Sequence, residues 1–71
     1  MINRNELEGE MKRNGYNGVA LARAIGVHST TISNKLSGQT DFTISEAKKI
    51  RKLLKLSRDM VDVIFFADEV E

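Results

Sequence analysis

Residues 26–38, "GVHSTTISNKLSG", decide how this chain is read. Ile32 and Leu36 stand four apart and mark one helical face, yet Ser29, Thr30, Thr31, Ser33, Asn34 and Ser37 are all weak helix formers. At about 0.5 kcal/mol each relative to Ala, these six cost roughly 3 kcal/mol in a segment of barely three turns. With Ile32 at zero and about 100° per residue, Leu36 falls near 40°, while Ser33, Ser37, Thr30 and Asn34 fall between roughly 100° and 200°. One side is built to be buried. The other is a strip of short hydrogen-bonding groups with no long charged side chain among them.

The preceding residues supply the partner for the buried side. Val19, Ala20, Leu21, Ala22 and Ile25 form a dense apolar set that starts after Asn17 and ends at Gly26, which predicts a second helix running to Ile25. Ala22, Gly26 and Ile32 then each have a task. The small Ala lets two helices cross closely, Gly26 takes the left-handed turn between them, and Ile32 plugs the third helix into the second. A helix-turn-helix over residues 18–37 follows from this spacing.

The same reading extends to the rest of the chain. A first helix is expected from Asn3 or Asn5, each with Glu three residues on, to a stop before Gly15, with Leu7 and Met11 inward. The third helix ends at Gly38. Thr43 and Glu46 form a T-x-x-E capping box for a fourth helix reaching about Leu54, with Ile44, Ala47, Ile50 and Leu54 inward. Ser57 caps a fifth, with Met60, Val63, Ile64 and Ala67 as its buried face. The expected fold is therefore all-α, a compact bundle of five short helices forming a single domain over residues 1–71. Residues 67–71 are read as a flexible acidic tail. Val61, Phe65, Phe66 and Val70 are left over beside the fifth helix's buried face, more apolar surface than one small core needs.

Composition narrows the class. A chain of 71 residues hides only about 60% of the surface its unfolded form exposes, so its core is small. With no Cys and a single His, His28, it has neither a disulfide nor a metal cluster to staple it. Metal, cofactor and small-molecule ligand are therefore not expected, and neither is catalysis, since His28 has no triad partner. The longest apolar run, Val63 to Ala67, is far short of the ~20 residues that span a bilayer, and no apolar signal core precedes it. A cytoplasmic location without membrane attachment is the expectation. Charge is segregated: residues 12–58 carry ten Lys/Arg against Asp41 and Glu46, a local balance of +8, while acids dominate both ends. A basic middle of this kind fits a polyanion better than a uniformly charged surface does. Within it, Lys48, Lys49, Lys52 and Lys55 make a basic face on the fourth helix.

Residues 17–38, "NGVALARAIGVHSTTISNKLSG", resemble the lambda-repressor-like (Xre/Cro-type) DNA-binding domains. "ISNKLSG", "FTISEAKKI" and the closing "IFF" are similar to small prophage-encoded members, and the resemblance runs over roughly residues 5–66. It implies that helix 3 enters the major groove, where hydroxyls and amides read base edges. Ser29, Thr30 and Asn34 match the base-reading positions, with Ser33 beside them. Asn17 and Gly18 match the phosphate-binding start of helix 2, although many relatives carry Gln where this chain has Gly18. Lys35 stands where relatives have an apolar residue. Near −60° on the wheel, its stem should cover the core edge while its amine reaches a phosphate. Arg23, His28, Ser37, Gln39 and Thr40 flank the site as further backbone contacts.

The expected function is a sequence-specific transcriptional regulator of the Cro or repressor kind. It would bind double-stranded, palindromic operator DNA as a homodimer, with Val61, Phe65 and Phe66 as the dimer seam. The alternative is a protein-binding antirepressor or modulator on the same fold, acting on another phage regulator.

Overall fold

Four of the five helices start at a side-chain oxygen that satisfies an otherwise open backbone N–H. In the computed structural model, which describes residues 2–66, these helices are α1 (Arg4–Arg13), α2 (Gly18–Ile25), α3 (Ser29–Leu36), α4 (Ile44–Leu54) and α5 (Arg58–Phe65). Asn3 Oδ1 accepts from Glu6 N at 3.3 Å, Asn17 Oδ1 from Ala20 N at 2.8 Å, and Ser57 Oγ from Met60 N at 3.1 Å. At α4 the capping box closes both ways: Thr43 Oγ1 accepts from Glu46 N at 3.1 Å and Glu46 Oε1 accepts from Thr43 N at 2.8 Å. Each such cap contributes about 1 kcal/mol. The exception is α3, whose N-cap His28 makes no side-chain cap bond. Its six weak helix formers are therefore compensated by packing instead.

That packing comes from α2. Gly26, at φ 81°, turns the chain so that α3 crosses α2, and its N–H closes on the Ala22 carbonyl. No residue with a Cβ adopts this conformation without strain. Ile32 is fully buried against the cluster of Leu7, Met11, Leu21, Ala22, Ile25, Ile50, Leu54 and Ile64. Its burial contributes about 1.5–3 kcal/mol, comparable to the propensity cost of the helix that carries it. Lys49 Nζ donates to the Ile25 carbonyl at 3.5 Å and Asn14 Nδ2 to the Leu54 carbonyl at 3.4 Å, joining α4 to α2 and α1 to α4. Asn3 N donates to the Ile64 carbonyl at 2.7 Å, so the start of α1 meets the last turn of α5.

Two apolar residues expected inside, and one from the dense apolar set of α2, face solvent. Ile44 is 68% exposed because, as the first residue of α4, it lies about 120° from Ile50 and precedes the turn that meets the core. Val63 is 40% exposed. α5 is rotated so that Met60, Val61 and Phe65 flank the buried Ile64, and Val63 falls outside that face. Val19 is 55% exposed, on the outer side of α2. Ala67 and the acidic segment 67–71 lie outside the described residues, as does Val70. Leu56, in the link after α4, joins the core although no helical pattern marks it. No strand occurs among the described residues, and none of their helices is long and apolar enough to cross a membrane.

Candidate nucleic-acid interface

Packing Ile32 inward leaves the opposite side of α3 in solvent. Ser29, Thr30 and Ser33 are exposed and Asn34 is half-buried. Among the described residues none of these four side chains makes a hydrogen bond, so their donors and acceptors are available to a ligand. The Asn34 carbonyl, by contrast, accepts from Ser37 Oγ at 2.9 Å and from Gln39 N at 3.0 Å. Ser37 thus uses its hydroxyl to finish α3 rather than to face outward. Gln39 and Thr40 follow in the exposed loop.

The start of α2 opens beside this strip. Asn17 Oδ1 is spent on Ala20 N and the Asn17 carbonyl on Leu21 N, which leaves the Gly18 and Val19 N–H groups free at the positive end of the helix. Asn17, Gly18, Ser29, Thr30 and Ser33 line one shallow groove. A Cβ at Gly18 would meet only Ile32 Cγ2 at 3.9 Å, so nothing steric demands glycine there. Arg4 of α1 lines the same groove, a cation that sequence reading missed because no local pattern connects α1 to α3. Its Nε donates to Glu8 Oε1 at 3.0 Å. Arg23 and His28 are exposed but lie outside that groove. The cations of α4 line a separate groove with Ile44, Ser45 and Leu56.

Lys35 departs from its expected orientation. Its stem does cover the core edge, but its amine turns inward, donating to Glu46 Oε1 at 2.5 Å and lying 5.8 Å from the Phe42 ring centroid. Only 11% of the Lys35 side chain and 12% of the Glu46 side chain are exposed. A carboxylate from α4 at this depth outcompetes water and a distant phosphate for the amine. Burial pushes the Glu46 carboxyl up. The Lys35 ammonium and the hydrogen bonds of Thr43 outweigh that and hold it below its ordinary value of 4.5.

The family model described as helix-turn-helix matches residues 9–61, spanning all of α2, α3 and α4 and the turns between them. The chain belongs to the lambda-repressor-like (Xre) helix-turn-helix family. Neither the curated proteins nor the solved structures supplied a match. As a member of this family, the helix-turn-helix protein is a DNA-binding transcription regulator. α3 occupies the place of the second helix of the motif, and the groove between its polar face and the start of α2 is this helix-turn-helix protein's candidate DNA surface.

Proposed function

We propose that the chain is a sequence-specific regulator of the Cro or repressor type that lays α3 in the major groove of a palindromic operator. The observation that carries this reading is the unpartnered strip in which Ser29, Thr30 and Ser33 line one groove with the two open N–H groups of α2 and Asn34 follows on the same helix, outside that groove. The strip offers base-edge donors and acceptors, and the helix end offers a phosphate seat. Thr30 brings a methyl for thymine, and Asn34 an amide able to pair bidentately with adenine. Arg23, His28, Gln39 and Thr40 serve as backbone contacts around that core.

A homodimer supplies the second half-site, since one short helix reads only a few base pairs. Its seam is the edge of α5 at Val61, Phe65 and Phe66, which the core leaves half-buried. Gel shifts on the DNA flanking the chain's own gene test the function. Retarded complexes that resist random competitor and weaken steeply with salt support it. No complex at low salt, with a second regulator co-purifying, favours the antirepressor reading instead.

A further inference from the structure

α3 is held to the domain from two sides by unlike means. Ile32 seats it in the apolar core that α2 and α4 share, whereas the Lys35–Glu46 pair ties its last turn to the start of α4 by charge. Glu46 Oε1 accepts from Lys35 Nζ at 2.5 Å and from Thr43 N at 2.8 Å, so one oxygen both caps α4 and anchors the last turn of α3. The Lys35 ammonium also faces the Phe42 ring, and Phe42 packs edge-on against Phe65 of α5. Two further facts distinguish this joint from a surface ion pair. Both side chains are nearly nine-tenths buried, and the oxygen that holds Lys35 is itself fixed by the capping box of α4. A buried, hydrogen-bonded pair of this kind adds little net stability over an apolar contact but tolerates only one geometry. An apolar side chain slides, whereas an ammonium held by a carboxylate does not.

We infer that Lys35 and Glu46 are positioning residues for DNA binding: they fix the angle at which α3 presents Ser29, Thr30, Ser33 and Asn34, and neither touches the DNA. This rests on the reading of α3 as the groove-binding helix. The joint sets how well the strip on the far side of α3 registers with base edges, through a contact that the phosphate backbone does not reach.

A double-mutant cycle of Lys35→Gln, Glu46→Gln and the pair tests it, with Lys35→Arg as the conservative control. Each single Gln variant should stay folded and lose roughly tenfold in affinity for the DNA flanking the chain's own gene, and the double variant should lose no more than either. Lys35→Arg should recover most of the loss, and the salt slope should stay that of the wild type throughout. A slope reduced by about one in Lys35→Gln would mean that the amine contacts a phosphate, and unchanged affinity in both folded single variants would mean that the pair positions nothing. Either result overturns the inference. Residual dipolar couplings of the free protein read the orientation of α3 against α2 directly. A reorientation in Lys35→Gln shows that the pair fixes the angle of α3 independently of whether α3 enters the groove, and an unmoved α3 rejects the inference.

Discussion

Phe42 meets Phe65 edge to face, their ring centroids 5.5 Å apart and their planes at 80°, so the loop leaving α3 rests on the last turn of α5. An aromatic pair in this arrangement contributes about 0.5–1.5 kcal/mol beyond the area it covers. Phe65→Ala should therefore lower stability by about 2–3 kcal/mol, less than a fully buried Phe because Phe65 is half-buried. Urea unfolding of Phe42→Ala, Phe65→Ala and the double variant should give a coupling of about 0.5–1.5 kcal/mol. A coupling near zero would mean that the rings are only neighbours.

Acid should loosen the joint between α3 and α4. The Glu46 carboxyl lies below its ordinary value of 4.5 in the folded chain, so its contribution is complete above that value and is lost as pH falls through the lower, folded one. Glu46→Gln should be less stable than wild type at neutral pH, and the difference should shrink on acidification below about pH 4.5. Thermal unfolding of both forms across that range checks it, and a constant difference would detach Glu46 from the acid limb.

Asn34 and Ser37 lie near each other on the α3 wheel but differ in what their side chains do. Asn34→Ala should cost about 1–3 kcal/mol of operator affinity and relax preference at one base pair. Ser37→Ala should leave affinity nearly unchanged, because its hydroxyl already serves the Asn34 carbonyl. Binding to a set of single-base operator variants separates the two. Equal losses would place α3 differently in the groove.

Lys55 ends α4 at φ 55°, a left-handed conformation that costs a side chain about 1 kcal/mol. Lys55→Gly should raise stability by about 0.5–1 kcal/mol. Gly18 is the opposite case, with ordinary backbone and room for a Cβ. Gly18→Gln should strengthen DNA binding severalfold by adding one phosphate hydrogen bond of about 0.5–1.5 kcal/mol. Melting curves judge the first and gel shifts the second.

Local signals made most of this legible from the sequence. Caps at Asn3, Asn17, Thr43 and Ser57 act within three residues, and the turn at Gly26 needs only its own φ, so those boundaries could be read directly. Periodicity marks a stripe but not its edge, which is why Ile44 and Val63 were expected inside and lie outside. Lys35 shows a different failure. Its partner Glu46 sits eleven residues away on another helix, and the capping box already accounted for that carboxylate, so nothing local announced a second bond to the same oxygen. Arg4 reaches the candidate DNA groove from α1 in the same non-local way.

The bond from Asn3 N to the Ile64 carbonyl joins two of the most distant parts of the described chain, whereas α2 and α3 are consecutive and meet across a single turn. Contacts of short sequence separation form early and distant ones late. The helix pair that carries the candidate DNA surface thus closes across one short turn, while the clasp between α1 and α5 must close a far longer loop. Local opening of that clasp would therefore loosen both ends of the bundle without parting α2 from α3.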